Sequence, residues 1–349
     1  VYGAVDPSSG TAAMLEAAHG IGAILRQGWR PKRTIVFCSW DAEEEGLIGS
    51  TEWVEQQGRT LDHAVAYFNV DVAVSGSDFT ASAVPSLKEF VRGIARSVPS
   101  PLGGTVFMAW RSNPSGGGES KASNAPPIPG EEVHVGDLGS GSDFTPFLQH
   151  AGVPSTDIES SGPYGVYHSA FDDYAWFTQN ADPHFLYLQE MARVLGLESM
   201  RMADADVLPY DYAAYAREIS AYIGAAKHRA VDAGFGTLDF APAETAAARF
   251  SAAAQRAYAA ESAPSGNLAR LNLALRQTET ALLSDAGLPH RPWFRHTIFA
   301  PGELTGYAAV VLPGVNEAIS AGDAGLAAQQ LQVLTQALNR AADVLESAL

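Results

Sequence analysis

The feature that most constrains the fold of this chain is an apolar run that ends in a group of carboxylates. Residues 34–39 are almost entirely apolar or β-branched, and Glu43, Glu44 and Glu45 follow within a few positions. A run of this kind is typical of a β-strand buried on both faces, as in a parallel sheet. Carboxylates at the end of such a strand lose hydration, so a metal ion or a proton-transfer role must offset that loss. The pattern predicts a site there, and a solvated turn is the alternative interpretation.

Adjacent glutamates can divide the chemistry of such a site. We expect Glu44 to be a metal ligand and Glu43 to be the general base toward a water molecule that the metal activates. Asp6 and Asp71 also follow apolar segments, and ligands in open α/β sheets bind outside the carboxyl ends of the strands. These residues are therefore expected to converge, with His168 as a fourth candidate ligand.

The chemistry of this ligand set favours zinc. Carboxylate oxygen and imidazole nitrogen together suit zinc or a similar ion, and a set rich in carboxylates more often serves two metals, with one aspartate bridging them. Each residue alone has a simpler explanation. Asp6 can form a turn before a helix, Asp71 can cap the following loop, and His168 can lie on the surface.

Composition narrows the class of protein. The 349 residues are 46% hydrophobic and 17% charged, enough for a substantial core in one large domain or two ordinary ones. A net charge of -17 argues against nucleic acid or an anionic membrane surface as the main partner. Cys38 is the only cysteine, so no intramolecular disulfide forms, and it is expected to be a small buried hydrophobe. No transmembrane run occurs.

The beginning of the sequence resembles the middle of a domain. Residues 1–6 have the pattern of a strand that leads into a site, with nothing before it. We therefore expect an amino-terminal truncation, and the absence of a visible signal peptide says nothing about the compartment.

The first 200 residues alternate apolar strands with helical periodicity, which predicts an α/β fold with a mostly parallel sheet. Predicted strands end near Trp40, Asp71 and Ile158. Predicted helices lie between and after these strands. They cover residues 11–27, 85–98, 143–150 and 182–202, and a further helix begins near residue 49. The Pro/Gly-rich residues 99–130, with Gly116–Gly118, are expected to be a long surface loop or lid.

The composition changes beyond Leu208-Pro209. Four Ala/Leu-rich segments, 211–233, 242–261, 265–285 and 322–348, have helical periodicity and predict an antiparallel helical bundle. A non-helical insertion at 290–314 interrupts the last pair. The predicted domains are residues 1–204 and 205–349.

Six short segments together resemble the glutamate carboxypeptidase II and transferrin receptor family of zinc exopeptidases. These segments are residues 6–10, 28–34, 39–44, 138–143, 167–169 and 287–292. The resemblance covers almost the whole length and implies a three-layer zinc-exopeptidase domain followed by a helical dimerisation domain. It also implies an exported or cell-surface homodimer.

The resemblance implies a role for each site residue. Asp6 would bridge two zinc ions, Glu44 and His168 would complete the first zinc site, and Asp71 would bind the second. Glu43 would be the general base, and Tyr167 would donate its hydroxyl to the developing oxyanion. The substrate-binding residues would be Gly141, Ser142 and Tyr307.

Three departures from the family pattern bear on the expected activity. The first departure concerns the family's remaining zinc ligand, a histidine about ten residues upstream of the bridging aspartate, which this sequence starts too late to contain. The second is the family's apical domain, which supplies part of the substrate pocket and is also absent from this sequence. Glutamate-selective members carry arginines where this chain has residues 156–159, and a lysine where it has Gly306. Acidic groups in place of basic ones argue against a preference for a C-terminal glutamate and can favour a free amino terminus.

These observations predict a zinc-dependent exopeptidase of aminopeptidase, dipeptidase or carboxypeptidase type, acting on peptides without strict glutamate preference. Two alternatives remain. One is a non-catalytic binding protein similar to the transferrin receptor. The other is a mono-zinc transferase of the glutaminyl-cyclase type, which uses a similar scaffold.

Overall fold

The computed structural model describes residues 1–113, 123–262 and 267–348. The α-helices within these ranges are α1 (Ser8–Arg26), α2 (Ile48–Leu61), α3 (Lys88–Ala95), α4 (Val106–Ser112), α5 (Tyr174–Trp176), α6 (Leu186–Asp204), α7 (Tyr212–Asp232), α8 (Ala241–Ser262), α9 (Leu268–Ala281), α10 (Pro313–Ser320) and α11 (Ala324–Glu346). The strands are β1 (Tyr67–Asn69), β2 (Asp78–Ala83), β3 (Ser155–Ser161), β4 (Phe299–Pro301) and β5 (Ala309–Val311).

The larger sheet has the strand order β1-β3-β2. β1 pairs with β3 in parallel, with Tyr67 opposite Ser155, and β2 pairs with β3 antiparallel, with Asp78 opposite Ser161. The fold is therefore mixed helix and sheet, and the described residues do not show a mostly parallel sheet. The parallel pair places the ends of β1 and β3 at the same edge, where the candidate site lies.

The strand predicted at residues 34–40 does not form in the described structure. This segment is extended but has no strand pairing, and the side chains of Val36 and Phe37 are 68% and 39% exposed. An apolar, β-branched run indicates where a strand is favourable, but a strand exists only when a neighbour completes its backbone hydrogen bonds. The described residues place no such neighbour beside it.

The predicted loop at 99–130 contains a helix that the prediction missed. In α4, the side chains of Val106, Phe107 and Trp110 are buried, and Trp110 meets Phe79 of β2 edge to face at 5.1 Å between ring centroids. The Thr105 hydroxyl caps the helix by accepting a hydrogen bond from the Met108 amide. Apolar packing formed this short helix within a Pro/Gly-rich region. Gly116–Gly118 lie outside the described residues.

The four predicted C-terminal helices are confirmed as α7, α8, α9 and α11. α8 packs against α7 and α11, and α11 also packs against α9. The insertion between α9 and α11 contains the β4–β5 hairpin and α10. A single buried apolar cluster includes Ile158 of β3, Tyr215 of α7 and Leu338 of α11, so the two parts of the chain pack together. No helix among the described residues is long and apolar enough to span a membrane.

A buried ionic network joins the two parts. Lys88 Nζ of α3 lies 3.1 Å from Asp137 Oδ1 and 2.8 Å from Glu218 Oε2 of α7. The Tyr222 hydroxyl donates a hydrogen bond of 2.6 Å to the same Glu218 oxygen. Burial alone would lower the pKa of Lys88, but the two carboxylates reverse this effect and raise it. Lys88 is therefore a buried cation that balances two buried acids.

Glu198 of α6 is a buried carboxyl, and none of the residues that the structure describes supplies it with a cationic partner. Its side chain has no exposed surface, and burial raises its pKa from an ordinary 4.5 to about 8, which the neighbouring Thr156 hydroxyl only partly opposes. Folded protein therefore retains a proton that unfolded protein releases above pH 4.5. Stability should fall as the pH rises from about 4.5 to about 8, by up to about 1.4 kcal/mol per pH unit.

We expect Glu198→Gln to remove this pH dependence, because glutamine is neutral throughout the window. The urea-unfolding midpoints of parent and variant should be similar near pH 4.5, and the variant should be the more stable near pH 8. Glu52→Gln, at an exposed position of α2, is the control and should follow the parent. A difference between Glu198→Gln and parent that does not change with pH would contradict the interpretation.

Candidate metal centre and active site

Asp6 lies just before α1 and is nearly buried. The carboxylate of Asp172 accepts hydrogen bonds from the amides of Val5, at 2.8 Å, and of Asp6, at 3.1 Å. These bonds fix the backbone where the predicted bridging ligand is attached. The turn before a helix, considered above as the simpler explanation of Asp6, is also present, so the two explanations are compatible.

His168 brings a third segment of the chain to Asp6. Its Nε2 atom lies 3.3 Å from Asp6 Oδ2 and 3.3 Å from Glu44 Oε2. One ligand atom from each of these three residues lies within 4.8 Å of the others. Two carboxylate oxygens and one imidazole nitrogen at this spacing form a donor set that suits zinc.

The turn after residue 40 places both glutamates of the pair. The amides of Gly46 and Leu47 donate to the Glu43 carbonyl at 2.9 and 2.7 Å. A Cβ atom at Gly49 would lie 2.3 Å from the Asp41 carbonyl oxygen, so only glycine permits this close return of the chain. Glu43 and Glu44 both line a cavity of about 120 Å³ together with Asp6 and Asp71.

The Asp71 carboxylate is positioned by hydrogen bonds with polar side chains. The Ser142 hydroxyl donates to Asp71 Oδ2 at 2.7 Å and accepts from Asn69 Nδ2 at 2.9 Å. Asn69, the last residue of β1, also donates to Asp157 Oδ1 at 2.9 Å. Ser142, a predicted substrate-binding residue, thus contacts a predicted metal ligand in this structure. The chain Asp157–Asn69–Ser142–Asp71 orients the Asp71 carboxylate toward Asp6.

Like charges crowd this cavity. Burial, the neighbouring Asp71 and Glu44, and a hydrogen bond with Asp71 raise the pKa of Asp6 to about 7. Burial and the charges of Asp71 and Asp143 raise the pKa of Glu43 to about 8. Protein cations do not neutralise the cluster; only His168 lies within ion-pair distance of Asp6 and Glu44 among the described residues. Divalent cations would supply the missing positive charge, so the residues present fit a metal centre.

Two tyrosines border the metal-ligand group. Tyr167 stacks on the His168 ring at 3.7 Å between centroids and is 48% exposed. Burial and the nearby Asp6 raise its pKa above the ordinary value, so its hydroxyl remains a donor at neutral pH. Tyr307 reaches this region from the β4–β5 loop: its carbonyl accepts from the Ser140 amide at 3.0 Å, and a Cβ at Gly141 would lie 2.7 Å from its ring.

The structure brings the predicted site residues to one region, and it adds three residues that the sequence reasoning did not select. These are Asn69, Asp143 and Asp172. Asn69 had a usable signal, because it is a polar residue at the end of a strand. Asp143 lies in one of the segments that carry the family resemblance, but no role was assigned to it. Asp172 had no local signal, since its partners are 166 and 167 residues away.

Comparison with known proteins gives two family matches. A family model described as peptidase family M28 matches residues 1–192, and one described as a transferrin receptor-like dimerisation domain matches residues 238–346. The end of α6 and the whole of α7 lie between the two matched ranges.

Curated relatives include both carboxypeptidases and aminopeptidases by name. The chain is 38% identical over 324 residues to "Probable glutamate carboxypeptidase LAMP1" of Arabidopsis thaliana, covering 91% of this chain and 45% of the relative. It is 32% identical over 326 residues to "Aminopeptidase NAALADL1" of Mus musculus, covering 86% of this chain and 42% of the relative. The "Glutamate carboxypeptidase 2 homolog" of Caenorhabditis briggsae is 28% identical over 358 residues, covering 91% and 44%. The chain spans about half the length of the curated relatives it matches.

Proposed function

The chain belongs to peptidase family M28, and on this premise we propose that it forms the metal-binding and dimerisation part of a zinc-dependent exopeptidase. The observation that carries the proposal is the convergence of Asp6, Glu44 and His168, whose ligand atoms lie within 4.8 Å of one another. Asp71 and Glu43 line the same cavity. A turn of solvated acids would not gather a histidine and carboxylates from distant segments around one point.

We propose a co-catalytic pair of zinc ions. Asp6 would lie between the ions, Glu44 and His168 would hold one, and Asp71 would hold the other. When bound, zinc supplies Lewis acidity toward the peptide carbonyl and lowers the pKa of water. Asn69 and Ser142 orient Asp71 for this role through the hydrogen bonds described above.

The protein residues then carry the proton transfers. Glu43, whose pKa is about 8 without a countercharge, becomes ionised next to bound cations and starts each cycle as a carboxylate. It accepts a proton from the attacking water and delivers it to the leaving amine. Tyr167 keeps its proton and donates a hydrogen bond to the developing oxyanion. Tyr307 borders the substrate pocket beside Gly141.

For the substrate, we propose peptides with a free amino terminus and without strict preference for a C-terminal glutamate. Asp157 and Glu159 lie in β3, within the stretch 156–159 that, by the family resemblance, corresponds to the arginine-bearing stretch of glutamate-selective members. Asp157 accepts from Asn69 and Glu159 accepts from Thr80, so both acids are fixed within the sheet. Their negative charge would repel a substrate carboxylate and attract an ammonium group.

For the architecture, we propose domains at residues 1–204 and 205–349 and a homodimer through the second. The match to a transferrin receptor-like dimerisation domain at residues 238–346 supports the dimer. We also propose that the whole peptidase domain is three-layered around a mostly parallel sheet. The parallel β1–β3 pair and the extended, unpaired apolar residues 34–39 support this proposal.

Zinc content and product analysis test the function together. The purified chain should contain zinc, and it should release the first residue of a tripeptide with a free amino terminus much faster than from its N-acetylated form. A C-terminal glutamate should give no advantage over alanine. Metal-free, inactive protein would favour the receptor-like alternative. Formation of a pyroglutamyl product from a peptide with N-terminal glutamine would favour the cyclase-type alternative.

A further inference from the structure

We propose that Asp172 is a positioning residue that holds Asp6 in its metal-binding orientation and joins the loop of Asp6 to the loop of His168. This inference rests on the proposed function, because it concerns the ligands of the same zinc centre. It assigns a role to a residue that lies outside the predicted ligand set.

Asp172 binds the Asp6 segment through both of its carboxylate oxygens. Oδ1 accepts from the Val5 amide at 2.8 Å, and Oδ2 accepts from the Asp6 amide at 3.1 Å. The Asp172 carbonyl also accepts from the Ala4 amide at 3.3 Å. The side chain is completely buried. Three consecutive amides are thus held by one residue, which leaves the Asp6 backbone little freedom to rotate.

The same residue is fixed within the loop that carries His168. The Asp172 amide donates to the Ser169 carbonyl at 3.2 Å, and the Ser169 amide donates to the Val166 carbonyl at 3.1 Å. The Tyr164 hydroxyl donates to Asp172 Oδ2. Asp172 therefore transmits the position of the His168 loop directly to Asp6. The 3.3 Å separation between His168 Nε2 and Asp6 Oδ2 depends on both loops staying in this arrangement.

The negative charge of Asp172 also bears on the metal centre. Asp172 Oδ2 lies 3.1 Å from the Asp6 amide nitrogen, so its negative charge is close to that of the Asp6 carboxylate, which is electrostatically unfavourable without cations. Its hydrogen bonds offset part of this repulsion, because hydrogen bonds to a charged acceptor are stronger than those between neutral groups. Bound cations would attract the Asp172 carboxylate and so outweigh its repulsion by Asp6. Carboxylates that contact the ligands of a metal contribute to metal affinity in this way.

The test is the zinc affinity of the full chain carrying Asp172→Asn, measured by competition with a chromophoric chelator. Asparagine has the same shape, but it offers one acceptor oxygen and presents its NH₂ group to an amide that also donates. We expect zinc binding to weaken by about 10- to 100-fold, the usual range for outer-sphere partners of metal ligands. The absorption spectrum of the cobalt-substituted protein should change, because the ligand geometry changes.

The control is Asp173→Asn, the next residue in the same loop. Asp173 caps α5 by accepting from the Trp176 amide at 2.8 Å, and no hydrogen bond links it to the Asp6 segment. This variant should lower thermal stability while its zinc affinity stays within about twofold of the parent. Tyr164→Phe, which removes one hydrogen bond from Asp172, is the milder variant and should weaken zinc binding about three- to tenfold.

The outcomes separate the two proposals. Parent protein that binds no zinc would overturn the proposed function and this inference with it. Parent protein that binds zinc, with Asp172→Asn or Tyr164→Phe binding it equally well, would overturn the inference alone. Equal losses of affinity in Asp172→Asn and Asp173→Asn would also overturn it, because general loosening of the loop would then explain both.

Discussion

Glu43→Gln is expected to keep the zinc content of the parent and to lower turnover by about two to four orders of magnitude. Loss of a general base has an effect of this size. Glutamine preserves the size of the side chain and its place in the turn, where the Glu43 carbonyl accepts two backbone hydrogen bonds, but it cannot take a proton from water. The loss should appear in kcat more than in KM, because Glu43 acts in the transition state.

Glu45→Gln is the matched control for this prediction. Glu45 is the third glutamate of the same run, and it is exposed and does not line the cavity. Its variant should retain the turnover and the zinc content of the parent. Unchanged turnover in Glu43→Gln would remove Glu43 from the mechanism. Loss of zinc from that variant would show that Glu43 is a ligand and not the base.

The position of the site is easier to predict from the sequence than the sheet around it. Glu44 and Asp71 were selected because charged residues follow apolar runs, and the structure places both near Asp6. The strand used for Glu44 does not form among the described residues, and the turn at 41–47 positions the glutamates through its own backbone bonds. A local pattern indicates where burial is favourable, but pairing depends on which segments become neighbours.

Long-range contacts explain what the sequence could not show. Helical periodicity is local, so α7, α8, α9 and α11 were predicted from their own residues. The hold of Asp172 on Asp6 depends on amides 166 residues away, and no periodicity encodes such a contact. Tyr307 was selected only through the family resemblance, and its approach to Gly141 requires the β4–β5 loop to cross to the peptidase part.

The burial of Lys88 also depends on long-range contacts, although the helix that carries it was predicted. The pattern of residues 85–98 indicates a helix, and its single lysine would be expected on the exposed face. The structure instead buries Lys88 to 4% exposure because two acids, one from each part of the chain, surround its amine.

We expect Lys88→Met to lower the free energy of unfolding by about 3–5 kcal/mol, the cost of removing one partner from a buried ionic group. Methionine retains most of the volume of lysine, so the loss would come from the carboxylates of Asp137 and Glu218, which would remain buried without a cation. Urea unfolding at neutral pH measures the change. The loss should become smaller at acidic pH, because burial already raises the pKa of Glu218 and protonation removes the uncompensated charge.

Two further variants separate the ionic effect from packing. Lys32→Met removes an ion pair with Asp206 at the surface, where the side chains are 49% and 77% exposed, and should leave the urea-unfolding midpoint close to that of the parent because solvent screens such pairs. The double variant Lys88→Met/Glu218→Gln should recover part of the lost stability, since one of the two unpaired charges is then absent. If Lys88→Met were no more destabilising than Lys32→Met, the buried network would not be what fixes α7 against the peptidase part. The apolar contacts of Tyr215 and its neighbours would then have to supply that attachment alone.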